Sequence, residues 1–551
     1  SNPICPKTVC SLSPYLIMFH MKFDQDRPTG SRDILTIFTL NSIIRNNRQT
    51  FASFIDLKKA FDFVDRDLLL YKLLLTRIDG KVYHTIKNIY CHTTACVRIN
   101  GKLTNWFDCK SGVRQGCNLS PTLFSIFIND LVAEINSLNV GVKFENEQLS
   151  MLLYADDIVF VSSSEAEMQL MLNTLHQWCK KWRVLINTTK SKAVHFRQHR
   201  QPRSLYQFRI GDNLIDTVET YKYLGVIFHE KLDFSHTAKA LAAAAGRALG
   251  GIISKVHNMK DFGFSTYEKL FESCVIPVLD YGTSVWGFKT YNEIDSVQNR
   301  AIRYFLGVHR FSPNLAINGD VGWLPSTMRH WHNMVRMLNR ITVMDDSRLT
   351  KRIFDIDHAQ GQYNNNWSSE LRRIFNSIDM IDTYDTKQTV DMCTVKQKLY
   401  SYYADSWPDK VRTSPKLRTY ITFKTSYETE NYVKMNLQRN ERSILAQFRC
   451  GVLPLRIETG RFVGEKPEER LCRLCNCNTP EDETHFLLDC TLYTSIRDQW
   501  FKDIIQRISD NSWIQMNNSD KIKFLVCTYP RQTAKYLVSA FLKRRKTLYK
   551  S

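Results

Sequence analysis

The stretch LLYADDIVF, residues 152–160, places two adjacent carboxylates between two apolar runs. Strand-forming residues on both sides of a short polar centre are typical of a β-hairpin, which we predict over Ser150–Ser163. Asp156 and Asp157 would then lie at the tip of that hairpin. Taken alone, they could also be simple turn residues, because Asp tolerates turn geometry.

A third acid follows another apolar run, in FASFIDLKKAFD (51–62). The run Phe51–Ile55 predicts a buried strand that stops at Asp56. Neighbouring strands lie about 4.8 Å apart, so acids at adjacent strand ends can converge on one cation. Clustered carboxylates suit Mg²⁺, and two such ions can activate an attacking hydroxyl and stabilise a leaving pyrophosphate. The alternative is that Asp56 only caps the helix after it.

The spacing of apolar residues around these strands alternates between helical and strand-like. We predict, in order, a helix over residues 34–48, a helix over Lys58–Leu75, a hairpin at Asn100-Gly101, a helix opened by Ser120-Pro121, a helix over Glu165–Trp182 and strand character over Arg183–Phe196. This order favours an α+β fold with helices packed on one face of a sheet. Beyond residue 230 the pattern is mainly helical, and the polar residues 359–367 are the best candidate for a linker.

Composition narrows the class of protein. The chain has 551 residues and is 43% hydrophobic, which predicts three or more packed modules. With 75 Lys and Arg against 55 Asp and Glu, the net charge of +20 favours a polyanionic partner, although charge can also serve solubility alone. The scattered cysteines indicate thiols rather than a disulfide framework. We see no apolar run long enough to span a bilayer and expect no membrane partner. Because the sequence starts inside an apparent domain, we expect a fragment of a longer protein.

Five segments, in order, resemble the motifs of reverse transcriptases. FASFIDLKKAFD resembles motif A, KSGVRQGCNLSPTLFSIFIND (110–130) motif B, LLYADDIVF motif C, WRVLINTTKSKAVHF (182–196) motif D, and YKYLGVIF (221–228) the primer-grip motif E. The wording of motif B and of LGVIF is closest to the enzymes of non-LTR (LINE-type) retrotransposons. The resemblance implies an RNA-directed DNA polymerase that uses two Mg²⁺ ions, an RNA template, a DNA primer and deoxynucleoside triphosphates. It also implies an intracellular protein that is nuclear during DNA integration.

The same resemblance implies a right-hand polymerase with a mainly helical C-terminal region. We predict partial fingers (1–48), a palm with an antiparallel sheet (49–228), a helical thumb and connection (229–358), a helical C-terminal region (359–465), a zinc knuckle (466–500) and a basic C-terminal helix or tail (501–551). The fingers signature is only partly matched by FDQDRPTGSRDI (23–34), at Arg27, Ser31 and Asp33. A catalytically inactive, retrotransposon-derived nucleic-acid-binding protein is therefore the alternative. An RNA-dependent RNA polymerase is disfavoured by YADD and by Phe61.

By resemblance, Asp56 and Asp156 are the principal Mg²⁺ ligands and Asp157 assists. The implied nucleotide-binding residues are Ile55, Leu57, Phe61, Arg114, Gln115 and Gly116, and the implied primer grip is Tyr223, Leu224 and Gly225. Phe61 matches an aromatic gate against a 2′-hydroxyl, but it could equally be a core aromatic on an amphipathic helix. Arg114 could be an ordinary exposed loop residue. Lys190 and Lys192 are both candidates for the general acid that protonates pyrophosphate.

A cysteine cluster near the C-terminus has the spacing of a zinc site. Cys472, Cys475, His485 and Cys490 give C-x2-C-x9-H-x4-C, which can close a tetrahedral Zn²⁺ shell. Cys477 is a spare thiol, and the alternative is a set of core cysteines beside a surface histidine. The segment resembles the zinc knuckle of LINE-type proteins, which implies a structural ion that orders a nucleic-acid-binding tip.

Two basic segments are candidates for nucleic-acid contact. Residues 180–203 hold eight Lys and Arg and no acid, and Trp182, His195 and Phe196 between them could stack on bases. The alternative is a solvated charged edge. The run Lys543–Lys546 is the second candidate, although short basic runs of this kind are often neither nucleic-acid sites nor nuclear signals.

Overall fold

The computed structural model describes residues 30–144, 147–198, 200–258, 263–360, 366–507 and 510–548. Arg27, the side chain of Ser31 and most of the predicted linker lie outside the described part of the chain. The chain divides into two compact units, one comprising the residues up to Thr237 together with Ile341–Glu370, the other Ala238–Arg340 and Leu371–Ser551. The first unit mixes helices with sheet and the second is helical. Residues 341–370 thus join the first unit, whereas the sequence assigned them to the thumb and the region after it.

Among the described residues, the strands all lie in the first unit. They are β1 (Gln49–Ile55), β2 (Thr94–Ala95), β3 (Arg98–Ile99), β4 (Lys102–Leu103), β5 (Phe107–Asp108), β6 (Val142–Phe144), β7 (Glu147–Leu149), β8 (Met151–Tyr154), β9 (Asp157–Ser162), β10 (Lys192–Arg197), β11 (Arg209–Ile210), β12 (Asn213–Leu214), β13 (Thr220–Tyr223) and β14 (Val226–His229).

The helices follow in chain order. They are α1 (Gly30–Asn46), α2 (Arg66–Leu75), α3 (Gly80–Cys91), α4 (Ser120–Ser137), α5 (Glu165–Trp182), α6 (Ser235–Asn258), α7 (Phe264–Cys274), α8 (Ile276–Leu279), α9 (Thr283–Trp286), α10 (Asn292–Leu306), α11 (Asn314–Val321), α12 (Ser326–Thr342), α13 (Leu349–Gln360), α14 (Trp367–Ser377), α15 (Ile381–Asp385), α16 (Met392–Arg412), α17 (Tyr420–Phe423), α18 (Asn431–Lys434), α19 (Arg439–Arg449), α20 (Arg456–Thr459), α21 (Thr494–Arg507), α22 (Asp510–Gln515), α23 (Asn518–Lys523) and α24 (Pro530–Leu548). Short 3₁₀ turns cover Pro415–Leu417, Gly460–Val463, Pro467–Glu469 and Thr491–Tyr493, and π-turns cover His485–Asp489 and Phe524–Thr528. None of the helices within the described ranges is both long and apolar enough to cross a membrane.

A four-stranded antiparallel sheet with strand order β10–β1–β9–β8 organises the first unit. Side chains alternate between its two faces. Phe51 and Ile55 of β1 and Phe160 of β9 point into a core that includes Phe127 of α4 and Leu172 of α5. The next residues along each strand therefore face the opposite side of the sheet. The predicted combination of an antiparallel sheet with helices in one unit is confirmed.

Most predicted elements of the first unit are confirmed, with three differences. The helix expected over Lys58–Leu75 begins only at Arg66, because Asp65 caps it by accepting from the amides of Asp67 and Leu68 at 3.1 and 3.2 Å. Ser120 does not cap α4, since its hydroxyl donates to the Arg114 carbonyl at 2.5 Å. Of the segment after α5, only Lys192–Arg197 is strand, and pairing with β1 explains where that strand begins.

The second unit is built around buried aromatic residues and a buried ion pair. Arg449 of α19 donates to both carboxylate oxygens of Asp320 of α11, at 2.9 and 2.8 Å, and both side chains are fully buried. Tyr420 and Tyr432 donate to the same carboxylate at 3.0 and 2.7 Å. A buried ion pair needs such additional hydrogen bonds to offset its desolvation. The cluster therefore fixes α11, α17, α18 and α19 to one another.

Candidate active site and metal centre

Three acids converge at one end of the four-stranded sheet. Ile55 of β1 pairs with Ile158 of β9, and continuing this register by one residue places Asp56 opposite Asp157. Asp156 lies in the two-residue turn that joins β8 to β9, directly before Asp157. Strand pairing thus brings these residues, which are distant in sequence, to the same end of the sheet, as the sequence predicted.

The turn that carries Asp156 has an uncommon backbone. Ala155 has φ +54°, in the left-handed region that residues with a side chain rarely adopt. Such a conformation is retained only where the surrounding structure imposes it, here the ladder between Tyr154 and Asp157. The turn thereby fixes Asp156 relative to the strand ends.

Burial and neighbouring charges raise the pKa of Asp156 and of Asp157. Burial raises the pKa of Asp157 to about 6, and the charges of Asp156, Asp56 and Asp33 contribute to the shift. Burial also raises the pKa of Asp156, with a smaller contribution from the charge of Asp56 and opposition from a backbone hydrogen bond. Partly buried anions in mutual repulsion form a site that a divalent cation would stabilise. Asp33 of α1, which the sequence assigned to the fingers signature, belongs to the same electrostatic group.

The loop before β10 holds Asp56 in place. The Asp56 amide donates to Ser191 Oγ at 3.0 Å, and its carbonyl accepts from the Asn187 amide at 2.8 Å. The neighbours Ile55 and Leu57 are buried in the core, which anchors the strand end from both sides. Motif D therefore positions motif A through its backbone and a serine hydroxyl.

The segment after Asp56 turns beneath motif B. Phe61 lies in this turn and not on a helix, and its ring stacks on Phe124 of α4 with centroids 4.7 Å apart. Gln115 donates to the Asp62 carboxylate at 2.8 Å. Gly116 has φ +80°, and a Cβ there would meet no atom within 4 Å, so its surface is open to a ligand.

The Arg114 side chain is held by a hydrogen bond and is not a free loop side chain. Its guanidinium donates to the Ile89 carbonyl at the end of α3 at 2.8 Å. The side chain remains exposed. Arg114 therefore adds positive charge to the motif B turn and also connects this turn to α3.

Two residues of the site were missed by the sequence analysis. Arg66 donates to the carbonyls of Gly112, Tyr90, Cys109 and Ser111 at 2.5–3.2 Å, and it thereby clamps the segment before motif B. Gly112 has φ +82°, and a Cβ there would lie 2.5 Å from the Asp62 carbonyl oxygen. The Ser-Gly pair at the start of motif B was a signal for a special turn, whereas nothing in the sequence indicates the role of Arg66.

The two candidate lysines have different surroundings. Lys192 forms an ion pair with Asp216 at 2.7 Å. Lys190 is exposed in the turn before β10. Of the two ammonium groups, that of Lys190 is the more accessible to a ligand.

The β13–β14 hairpin packs beside the acids on the same face of the sheet. Tyr221 stacks on Phe54 of β1 with centroids 4.3 Å apart. Burial raises the pKa of Tyr221 to about 12, with added effect from the charges of Asp157 and Asp56. Tyr223 is buried, and the turn residues Leu224 and Gly225 have φ +45° and +84°. Burial, and then the charge of Asp157, raise the pKa of Tyr223, so this predicted primer-grip residue lies near the carboxylates.

Part of the basic segment 180–203 is not available to nucleic acid, although Lys180, Lys181, Arg183, Lys190 and Arg200 remain exposed. Trp182, His195 and Phe196 are all buried and so cannot stack on bases. Arg197 and Arg203 both pair with Glu230, at 2.7 and 2.5 Å. The stacking prediction was wrong because the three rings are buried, and Arg197 and Arg203 are neutralised by an acid that lies outside the segment in sequence.

The four predicted zinc ligands lie together in the second unit. The ligand atoms of Cys472, Cys475, His485 and Cys490 are all within 4.8 Å of one another. His485 Nε2 lies 3.3 Å from Cys475 Sγ, while its Nδ1 lies 3.0 Å from Thr479 Oγ1. A ring nitrogen held by an outer partner is typical of a metal-bound histidine. Three thiols and one imidazole at this separation fit a structural Zn²⁺ site.

The cysteine cluster is buried against the last helix. Arg544 of α24 donates to both oxygens of the buried Glu481 carboxylate at 2.8 Å. Tyr536 of α24 donates to the Phe486 carbonyl at 2.7 Å. Cys477 is exposed and lies outside the four-residue cluster. Arg544, the second residue of the basic run Lys543–Lys546, is therefore a packing residue and is not free for nucleic acid.

Comparisons with known proteins agree with the motifs. Residues 7–228 match the family model described as "Reverse transcriptase (RNA-dependent DNA polymerase)". The chain is similar to the probable RNA-directed DNA polymerase from transposon BS of Drosophila melanogaster, with 26% identity over 261 residues, 46% of this chain and 28% of the relative. It is similar to the RNA-directed DNA polymerase from mobile element jockey of the same species, with 26% identity over 287 residues, 50% of this chain and 31% of the relative.

A third relative matches over a longer part of the chain. The retrovirus-related Pol polyprotein from type-1 retrotransposable element R2 of Popillia japonica is 23% identical over 477 residues, 83% of this chain and 72% of the relative. Among solved structures, apo telomerase from Candida tropicalis matches with a TM-score of 0.31 and 12% identity, over 68% of this chain and 55% of that chain. A TM-score of this size does not establish a shared fold. The chain spans about 30% of the length of the first two relatives.

Proposed function

We propose that this chain, whose residues 7–228 match the reverse transcriptase family model and which is similar to polymerases of LINE-type retrotransposons, is an RNA-directed DNA polymerase. It would extend a DNA 3′ end on an RNA template with deoxynucleoside triphosphates. The observation that carries the proposal is the convergence of Asp56, Asp156 and Asp157 at one end of the sheet. Within this proposal the sheet and helices α2–α5 form the palm, and the helices from α6 onward begin the thumb.

The three carboxylates fit a pair of Mg²⁺ ions. Asp56 and Asp156 are the proposed principal ligands, and Asp157 assists. Their partial burial and their mutual repulsion support a site that takes up positive charge. When bound, such ions supply the activation of the primer hydroxyl and the stabilisation of the leaving pyrophosphate.

The surrounding residues bind and orient the substrates. Phe61, supported by Phe124, excludes a 2′-hydroxyl from the sugar position because its ring leaves no room for the oxygen. Gln115 and Gly116 line the nucleotide position, and the main chain beside Ile55 and Leu57 adds contacts there. Positioning of this kind lowers the barrier because attack requires the reacting atoms to be aligned.

The remaining predicted residues bind the primer and protonate the pyrophosphate in this proposal. Tyr223, Leu224 and Gly225 hold the primer end, which the packing of Tyr223 beside Phe54 supports. Lys190 is the proposed general acid, since Lys192 is already paired with Asp216. Arg114 adds positive charge for a phosphate or for the template.

The second unit is proposed to hold a structural Zn²⁺ ion at Cys472, Cys475, His485 and Cys490. The chemistry of the donor set and the orientation of His485 by Thr479 support this assignment. A site with four protein ligands has no open position for catalysis. Integration into DNA would require the protein to act in the nucleus.

Primer extension on an RNA template with Mg²⁺ tests the proposal. We expect wild-type protein to extend the primer and Asp156→Ala to abolish extension. Asp212→Ala, at an exposed acid in the turn between β11 and β12, is the matched control and should extend normally. Equal extension by wild type and Asp156→Ala would reject the active site. Binding of nucleic acid without any extension by wild type would favour the non-catalytic alternative.

A further inference from the structure

A two-stranded ribbon projects from the first unit between α3 and motif B. It comprises Thr94–Asp108, in which β2 pairs with β5 and β3 with β4. Asn100 and Gly101 at its tip have φ +49° and +84°, the backbone of a type I′ turn. Every residue from Val97 to Asp108 is exposed. The ribbon therefore presents both of its faces to solvent.

The exposed side chains of the ribbon are unusually apolar. Trp106 is 66% exposed and Phe107 50%, and Val97, Ile99 and Leu103 are exposed beside them. A two-stranded hairpin with no covering layer is only marginally stable in water. Because Ile99 pairs with Lys102 and Leu103 with Arg98, each face of the ribbon carries an exposed apolar side chain beside a cation. Exposed apolar side chains in this number mark an interaction surface.

Charge indicates the kind of partner. Between Gly80 and Asn118 the exposed charged residues are the cations Lys81, Lys87, Arg98, Lys102, Lys110 and Arg114 and the single acid Asp108. Protein interfaces are depleted in lysine. Aromatic side chains among cations are instead the combination that binds unpaired nucleic acid, with bases on the rings and phosphates on the cations.

The base of the ribbon is fixed to motif B. Arg66 bonds the carbonyls of Cys109, Ser111 and Gly112, and the Cys109 amide donates to the Thr93 carbonyl at 2.8 Å. Arg114, which is tied to α3, follows within the same turn. The base of the ribbon therefore lies next to the motif B turn.

We propose that the ribbon Thr94–Asp108 binds unpaired nucleic acid, with bases against Trp106 and Phe107 and with phosphates at Arg98 and Lys102, which the strand register places on opposite faces of the ribbon. This surface is separate from the acidic site and needs no polymerase chemistry. RNA and DNA single strands share the chemistry that it recognises, and comparison of the two identifies the preferred one.

Fluorescence anisotropy with labelled oligo(U) and oligo(dT), in buffer without divalent cations or nucleotides, tests the proposal. Trp106→Leu should weaken binding about tenfold, because a stacked base contributes about 1–3 kcal/mol. Trp106→Phe keeps an aromatic face and should bind nearly as well as wild type. If Trp106→Leu binds as tightly as wild type, the ribbon is not a stacking surface. Self-association that is lost in Trp106→Leu, with nucleic-acid binding intact, would likewise overturn the proposal in favour of a second copy of this chain.

A charge variant gives an independent measurement. Arg98→Gln/Lys102→Gln should reduce the slope of log affinity against log salt concentration by about 1.4, because each phosphate contact to a single strand contributes about 0.7. Lys396→Gln/Lys398→Gln, at two exposed lysines of α16, changes the net charge equally and should leave the slope unchanged. An equal change in both variants would mean that only total charge matters and would reject the ribbon. In the Asp156→Ala background, Trp106→Leu should weaken binding by the same factor as in the wild-type background, so loss of polymerase activity is distinguishable from loss of this surface.

Discussion

Gly112 and Gly116 share a left-handed backbone but differ in what surrounds them. Their φ angles are +82° and +80°. A Cβ on Gly112 would collide with the Asp62 main chain, whereas one on Gly116 would enter open space. We expect Gly116→Ala to cost about 1–2 kcal/mol of unfolding free energy from backbone strain alone. Gly112→Ala should cost clearly more, because the clash adds to the strain, and equal denaturation midpoints would contradict this geometry.

Phe61 gives a residue-scale prediction about substrate choice. Phe61→Val should raise the incorporation of ribonucleotides relative to deoxyribonucleotides by at least roughly tenfold, since a lost steric contact changes discrimination by about 1–3 kcal/mol. Phe63→Val, at an exposed aromatic in the same turn, is the control and should leave the ratio unchanged. Single-nucleotide extension with each triphosphate measures the ratio. Unchanged discrimination in Phe61→Val would assign Phe61 to packing on Phe124 only.

At the scale of single residues, the sequence predicted the site residues that belong to a recognisable motif. The convergence of the three acids was predicted through the resemblance of their segments to polymerase motifs, and the clustering of Cys472, Cys475, His485 and Cys490 was predicted because paired ligands have recognisable spacing. Arg66 was missed because its carbonyl partners come from separate segments of chain. The stacking role of Trp182, His195 and Phe196 was wrong because burial depends on tertiary packing.

At the scale of elements, Lys72 of α2 is buried against α4 and α5. Its ammonium lies 2.7 Å from Asp130 and 3.7 Å from the centre of the Trp182 ring. Burial lowers the pKa of Lys72 to about 8 from 10.5, although Asp130 opposes the shift. Between these values the unfolded chain binds a proton that the folded chain does not, so stability from this group rises with pH.

Lys72→Met removes this dependence. We expect the unfolding free energy of wild type, relative to Lys72→Met, to increase from about pH 8 to about pH 10 and to be constant below pH 8. Urea denaturation at a series of pH values measures the difference. A constant difference over the whole range would show that Lys72 keeps its proton when the protein is folded.

The pairing of α24 with the cysteine cluster makes a second prediction at this scale. Arg544→Gln should destabilise the second unit by about 3–5 kcal/mol, because it leaves the buried Glu481 carboxylate without its charged partner. Arg545→Gln is the matched control, since Arg545 is adjacent and exposed, and it should have little effect. Chemical denaturation compares the two variants. Similar midpoints for both would show that the ion pair does not stabilise the fold.

The sequence predicted elements well where periodicity and caps agreed. The bounds of α5 were predicted as Glu165–Trp182, where Ser164 caps the start and Arg183 ends the helix in a left-handed conformation. The start of α2 was misplaced by eight residues, since the helical spacing continued through the turn that holds Phe61. In that turn, contacts with motif B override local propensity.

At the scale of the whole molecule, metal content is the most direct measurement. We expect about one Zn²⁺ per chain, lost in Cys472→Ser, because the cysteine ligands must be deprotonated and held together to bind it. Chelation should expose amides of residues 472–490 to hydrogen exchange, while those of the four-stranded sheet stay protected. Cys477→Ser, at the exposed thiol outside the cluster, should keep its zinc. Protein without bound zinc would reject the site.

The division of the chain into two units was not predictable from sequence patterns. Residues 341–370 join the first unit through α13, where Thr350 bonds Thr39 of α1 at 3.0 Å and Asp357 accepts from Asn46 at 2.6 Å. These partners lie 311 positions apart in sequence. Helical periodicity shows which face of α13 is apolar but does not identify the helix that covers it.

The bond between Glu481 and Arg544 also has a consequence during synthesis on the ribosome. The cysteine-rich turn is translated before α24, so Glu481 stays without its arginine until that helix has emerged. A nascent polypeptide that stopped before Pro530 would contain every thiol and imidazole of the cluster but no guanidinium for the buried acid. We expect such prematurely terminated products to fold poorly and to be degraded, so that only chains translated through α24 accumulate.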